Sequence, residues 1–206
     1  YIDGMLDGTI PPEKQQHYMQ IVSGEVRRLS RLVRNMLDIA KLQAMGVEES
    51  RKTRFDLGEE MSDVLITFEQ KIYNKHLDVR VDLPDKPVWT RAERDSITQV
   101  IYNLIDNAIK FSRENSVIYI QTSLKYEKVF VSVKDTGIGI PKESIKKIWD
   151  RFYKSDLSRG KDKKGTGLGL AIVKEIIQAH GENIDVISTQ GVGSEFIFTL
   201  PKATAL

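Results

Sequence analysis

Three clusters of residues carry chemistry beyond packing. Asn103, Asn107 and Lys110 are spaced by four and three, so on a helix they share one stripe. Carboxamide oxygens are hard ligands suited to Mg²⁺, and a lysine ammonium suits phosphate, although a solvated helix face has the same composition. Asp135-Thr-Gly137-Ile-Gly139-Ile140 sets a carboxylate before two glycines. A flat ligand can approach such a chain closely, and the carboxylate can accept from an exocyclic amine such as that of adenine. Asp-x-Gly also ends strands as a simple turn. Gly165-Thr166-Gly167-Leu168-Gly169-Leu170 leads straight into a helical pattern, where backbone amides and a helix N-terminus suit phosphate. Its Gly-x-Gly-x-Gly spacing follows a charged loop, not a strand, so it is not the dinucleotide fingerprint. No Gly-Lys-Ser/Thr follows, so it is not a P-loop.

The elements that must position these clusters can be read from periodicity. Ser96 to Phe111 has apolar residues at Ile97, Val100, Ile101, Leu104, Ile105, Ala108 and Ile109, which predicts a helix with one buried side. Asp78 to Leu83 alternates like a half-buried strand. Val117–Tyr126 and Lys128–Lys134 flank Glu127 and read as a β-hairpin that delivers Asp135. Leu168 to His180 predicts a second helix, stopped by Gly181. Asn183–Thr189 and Glu195–Leu200 read as closing strands around the turn Gly191-Val-Gly193. Strands and helices interleave without a βαβ repeat. Residues 51–206 are therefore expected to form an α+β domain, a two-layer α/β sandwich with helices on one face of a mixed sheet. Between Pro141 and Lys164 the pattern weakens, and Ser158–Lys164 is charged and poor in apolar residues. A mobile lid is expected from about Lys142 to Lys164.

Residues 1–46 have a different period. Met19, Val22, Val26, Leu29, Val33, Met36 and Ala40 repeat at three and four, and Leu32, Leu37 and Ile39 widen the stripe. Arg27, Arg28, Arg31 and Arg34 lie opposite. The helix should begin near Pro11-Pro12-Glu13. Tyr1 to Asp7 reads as the end of a preceding helix, stopped near Gly8. The expectation is a truncated helical hairpin, either a dimerising bundle or a helix lying on its own domain.

Composition removes other classes. With 206 residues, 40% hydrophobic and 29% charged, the chain can bury a core. Lys+Arg is 31 and Asp+Glu 29, a net charge of +2, which argues against a broad nucleic-acid-binding surface. There is no cysteine for a disulfide, nucleophile or thiolate site, and no apolar run long enough to span a membrane. The chain lacks an initial Met, so Tyr1 reads as an internal start with residues missing upstream.

Taken together and in order, the clusters resemble the motifs of bacterial two-component sensor histidine kinases. Gln99 to Ser112 is similar to their N box, and Asp135 to Gly139 to their first glycine box. Ile148-Trp-Asp-Arg151-Phe152-Tyr153 is similar to the F box. Gly165 to Leu170 resembles the second glycine box, and Gly191-Val-Gly193-Ser194-Glu-Phe196 the final motif. The resemblance implies the Bergerat-type ATP-binding fold shared with gyrase, Hsp90 and MutL, with ATP and Mg²⁺ as cofactors. It implies that Asn107 ligates Mg²⁺, with Asn103 and Lys110 near the phosphates and Phe111 packed by the nucleotide. Asp135 would bind the adenine amine, Gly139 would admit the base, and Ser194 would support Asp135. Arg151 would face the phosphates, and Gly165, Gly167 and Gly169 would close the lid. It also places Gly137, Ile140, Phe152, Thr166, Leu168 and Leu170 at the nucleotide.

The hydrolysing members of that superfamily carry a glutamate where Asn103 stands, which favours transfer to a histidine over hydrolysis. The family's His-Glu-x-x-Thr/Asn-Pro acceptor stretch is missing, and His17, His76 and His180 read as structural or surface residues. The acceptor is expected upstream of Tyr1. Implied partners are a second copy, through the hairpin, and a response-regulator receiver domain, in the cytoplasmic part of a membrane-anchored sensor. Two other readings stand beside this one: a nucleotide-binding and dimerisation module without catalysis, and an ATPase, for which Asn103 is a poor fit.

Overall fold

The computed structural model describes residues 1–155 and 165–204. They divide into two compact units, Tyr1–Ala40 and Lys41–Leu206. In the first, helix α1 (Ile2–Leu6) leads through Gly8, at φ +80, to the long helix α2 (Pro12–Met45). A proline at the first helical position needs no amide partner, and Glu13 suits the positive end of the dipole. α2 starts where the proline pair predicts. Its last five residues, Lys41–Met45, belong to the second unit. Ile39 is the buried residue of α2, whereas Met19, Val26, Leu29, Val33 and Met36 are exposed.

The second unit contains β1 (Thr53–Asp56), α3 (Leu57–Ile66), α4 (Glu69–Asn74), β2 (Asp78–Asp82), β3 (Trp89–Ala92) and α5 (Arg94–Phe111). There follow β4 (Val117–Lys125), β5 (Lys128–Asp135), α6 (Gly169–Ala179), β6 (Ile184–Thr189) and β7 (Gly193–Pro201). The main sheet has the order β2-β4-β5-β7-β6. Only β2 and β4 pair in parallel, so the sheet is mixed as expected. β1 and β3 form a separate antiparallel pair.

Period-two burial sets the core face. Ile118 and Ile120 of β4, Val129, Val131 and Val133 of β5, and Phe196, Phe198 and Leu200 of β7 are buried. They meet in register, with Val131 opposite Phe198 and Val133 opposite Phe196. α5 and α6 pack on this face with seven and five buried residues respectively. Each large side chain so buried contributes roughly 1.5–3 kcal/mol.

The elements without advance signal are β1, β3, α3 and α4. Four-residue strands are too short for a period to emerge, and α4 has no buried residue to mark it. A correction concerns the lid. Residues from Lys142 to Tyr153 are a run of hydrogen-bonded turns fixed to the domain. Ser144 is buried and its hydroxyl accepts from Tyr153 Oη at 2.9 Å, and Trp149 stands edge-on to Phe196 at 6.0 Å. This segment is anchored by an aromatic and a buried hydroxyl, so no lid starts at Lys142. The remainder of the expected lid, residues 156–164, lies outside the described residues.

Candidate functional site

α5 buries Ile97, Val100, Ile101, Leu104, Ile105, Ala108 and Ile109, and beside that face Asn103, Asp106, Asn107 and Lys110 are half-buried. The stripe read from sequence is therefore real, with one addition. Asp106 accepts from Lys110 Nζ at 2.6 Å on Oδ2 and from Lys71 Nζ of α4 at 2.9 Å on Oδ1. Burial alone would raise the Asp106 carboxyl, but the two ammonium groups hold it below the ordinary carboxylate value. At the end of the helix, Lys75 Nζ donates to the carbonyls of Ile109 and Lys110 at 2.5 and 3.0 Å. It supplies the cation that suits a helix C-terminus.

Asp135 is the last inward residue of β5, continuing the row of Val129, Val131 and Val133, with Ile118 and Ser194 opposite. A carboxylate here occupies a core position and is 5% exposed. Its Oδ1 accepts from the Gly137 amide at 2.8 Å. Burial pushes the Asp135 carboxyl up to about 6, and the amides of Gly137 and Ser194 offset part of that rise.

The glycines around Asp135 are demanded by neighbouring backbone. A Cβ at Gly137 would lie 2.3 Å from the Phe111 carbonyl oxygen, to which Ile138 N donates. Gly139, at φ +65, would place a Cβ 2.0 Å from the Thr189 carbonyl oxygen. Gly139 was expected to admit a base; the contact that demands glycine here is with β6. Ser188 was not singled out in the sequence. Its hydroxyl accepts from Ile140 N at 2.9 Å, donates to Gly193 O at 2.9 Å, and lies 2.9 Å from Ser194 Oγ. A lone serine in a strand gives no signal of such a role.

Gly167, at φ +71, packs on the backbone of Phe152, whose amide donates to the Gly167 carbonyl at 2.9 Å. Phe152 itself is exposed. Leu168 is buried, and its amide donates to Thr166 Oγ1 at 3.3 Å at the entrance to α6. A Cβ at Gly169 would stand 3.5 Å from Asn103 Oδ1, an ordinary contact, so this box passes beside the carboxamide without glycine being forced here. Gly165 and Leu170 are half-exposed. Arg151, expected at the phosphates, is instead bonded to Gln43 Oε1 at 2.7 Å, and Gln43 Nε2 donates to Glu175 at 2.7 Å. The polar end of Gln43 competes successfully for the guanidinium in this conformation.

Two glycine boxes therefore converge on α5: the first, which carries Asp135, on the Phe111 carbonyl, and the second on Asn103. Among the described residues no group of three His, Cys, Asp or Glu side chains could hold a metal. The Asp106 carboxylate is already engaged by two lysines. The donor set of neutral carboxamides fits Mg²⁺ carried largely by phosphate oxygens, and does not fit an all-protein metal cage.

Residues 92–204, more than half the chain, match the family described as histidine kinase-, DNA gyrase B-, and HSP90-like ATPase. The chain belongs to that family. Within this ATPase family its relatives are sensor histidine kinases. WalK of Bacillus subtilis (strain 168) is 37% identical over 190 residues, covering 89% of this chain and 30% of WalK. The sensor protein SrrB of Staphylococcus aureus (strain MRSA252) is 36% identical over 203 residues, covering 98% of this chain and 34% of SrrB. The chain thus spans about a third of the length of these curated relatives. The nucleotide-free catalytic domain of the histidine kinase ThkA superposes with TM-score 0.65 at 36% identity, over 73% of this chain and 95% of that one. ShkA, solved in complex with AMPPNP, gives TM-score 0.79 at 27% identity over 93% of this chain and 40% of that one. ThkA in complex with the response regulator TrrA gives 0.73 at 32%, over 98% and 55%. The sandwich expected from periodicity is the fold of histidine kinase catalytic domains.

Proposed function

We propose that this chain binds ATP with Mg²⁺ and transfers the γ-phosphate to a histidine on an acceptor helix, for onward passage to a response-regulator aspartate. The observation that carries the reading is the convergence of the two glycine boxes on α5, with a buried carboxylate at one end and half-buried carboxamides at the other. Asp135 accepts from the adenine amine, and its position in the core row excludes water from that bond. Asn107, with Asn103 beside it, would hold Mg²⁺, which when bound offsets phosphate charge. Lys110 meets the phosphates, and Gly165–Gly169 lies over Asn103. Arg151 serves the phosphates after leaving Gln43.

Transfer is favoured over hydrolysis because Asn103 cannot act as a carboxylate base towards water. None of the chain's own histidines suits the acceptor role. His180 uses both ring nitrogens, Nδ1 donating to Ile176 O at 2.7 Å and Nε2 accepting from Glu93 N at 3.1 Å. His17 lies on α2 beside Tyr18, without the Glu that follows the acceptor in the resembling motif, and His76 sits at φ 50 after α4. Support for the regulator comes from the ThkA–TrrA complex. The exposed Met19–Met36 stripe of α2 supports a homodimer, since a row of apolar residues at heptad spacing invites a second copy. No helix among the described residues is long and apolar enough to cross a membrane. The reading places these residues on the cytoplasmic side of a membrane-anchored sensor.

The test uses ATP labelled at the γ position, this chain, and a separate peptide carrying the His-Glu-x-x-Thr/Asn-Pro stretch. Acid-labile, base-stable label on the peptide is expected. Release of free phosphate without labelled peptide makes the chain an ATPase and overturns the proposal.

A further inference from the structure

Asp106 has no part in the chemistry proposed above, although it sits between Asn103 and Lys110 on the polar side of α5. Its side chain is 15% exposed, and each of its oxygens holds a different ammonium. Lys110 comes from the next turn of the same helix. Lys71 comes from α4, an element that no motif marks. Lys71 is itself steered: its Nζ lies 5.0 Å over the Phe68 ring, and Phe68 is buried and packs on Tyr102 at 4.6 Å.

We propose that Asp106 is a positioning residue that aims Lys110, and that Lys71 is the counter-ion that keeps Asp106 paired when Lys110 turns to phosphate. The inference rests on the reading that Lys110 meets the phosphates. A lysine held by its helix neighbour is pre-oriented, which lowers the entropy lost on binding an anion. Pairing has an opposing effect. A mostly buried carboxylate left without a cation is costly, so a lone Asp106–Lys110 pair would resist giving Lys110 up. With Lys71 on Oδ1, the carboxylate keeps one ammonium throughout, and Lys110 exchanges one oxyanion for another at small net cost.

The experiment is a double-mutant cycle read by calorimetry with Mg-ATP and, separately, adenosine. Lys71→Ala is expected to weaken Mg-ATP about five-fold, the scale of one partly exposed ion pair, and to leave adenosine unchanged. In an Asp106→Asn background, where no carboxylate needs a partner, Lys71→Ala should have no effect on Mg-ATP. Lys71→Arg should bind like the unsubstituted chain. Equal weakening in both backgrounds makes Lys71 a direct phosphate ligand and overturns the exchange. Equal weakening of adenosine and Mg-ATP makes it a structural residue and also overturns it. If the unsubstituted chain shows no preference for Mg-ATP over adenosine, the phosphate reading of α5 fails and the inference with it.

Discussion

At Asp135 the candidate site is walled by backbone, and along α5 it is lined by side chains. Gly137, Gly139 and Gly193 each fit because a main-chain carbonyl occupies the space of their Cβ, at 2.3, 2.0 and 2.0 Å respectively. Ser188 of β6 ties the start of β7 and the Ile140 segment together through one hydroxyl. Nothing there can move alone. On α5 the contacts are ion pairs of half-exposed lysines with Asp106, and a half-buried carboxamide beside Gly169. Such groups rearrange by rotamer changes that cost about 1 kcal/mol or less. On the proposed reading, the end assigned to adenine has a fixed shape and the end assigned to phosphate can adjust to charge.

The largest expected effect lies at the rigid end. Gly139→Ala forces a Cβ onto the Thr189 carbonyl at a positive φ, so the second unit should lose about 3 kcal/mol or more in urea unfolding. A loss no greater than that of Asn107→Ala would remove the distinction between the two ends. Next is Asp135→Asn, which presents an amide donor to an amine donor. Mg-ATP and adenosine should both weaken by roughly 30-fold or more, measured by calorimetry. The same variant should stabilise the ligand-free chain. Asp135 titrates near 6 when folded and at an ordinary carboxylate value when unfolded, so its burial costs nothing below about pH 4. That cost grows as pH rises through the window up to about 6 and then stays level, reaching on the order of 1–3 kcal/mol. Unfolding of both proteins at pH 4 and pH 8 checks this, and a gap that closes at pH 8 contradicts it.

Smaller again is the effect at the adjustable end. Asn107→Ala, or removal of Mg²⁺ by EDTA, should weaken ATP by about ten-fold while sparing adenosine and stability. Loss of adenosine binding would show that the ends are not separable. The smallest effect is remote from both. His180 pins the N-terminus of α5 to the C-terminus of α6, and burial, with Lys52 nearby, keeps its ring neutral by lowering its pKa against the pull of Glu93 and Glu182. A base with a lowered folded pKa gives its full stability above the ordinary histidine range and loses it as pH falls below about 6.5. Relative to His180→Gln, the chain should lose about 1 kcal/mol on acidification through this window. A difference that is flat between pH 5 and pH 8 would falsify the staple.

Much of this could be read in the chain itself. The α5 stripe follows from residue spacing, since a helix brings residues three and four apart to one side wherever it packs. The hairpin that delivers Asp135 follows from alternation, and alternation also puts Asp135 on the core side with Val129, Val131 and Val133. The order of the motifs marked the family, with glycine clusters at Asp135–Gly139 and Gly165–Leu170 following the Asn103–Lys110 stripe. Other features carry no local mark. α4 is six residues long without a buried side chain, yet it supplies Lys71. Ser188 reads as an ordinary strand residue until β6 is laid beside β7.

What the sequence determined by itself was everything that depends on near neighbours along the chain: the periods of α5, β4 and β5, the glycine spacings, and the absence of a carboxylate at position 103. The tertiary structure alone decided which distant groups meet. Lys71 and Asp106 are 35 residues apart, Ser188 and Ile140 are 48 apart, and Arg151 and Gln43 are 108 apart. Each of those pairings is a choice among several donors and acceptors of equal local merit. It is settled by the packing of the apolar faces that carry them, so no residue in the pair announces its partner.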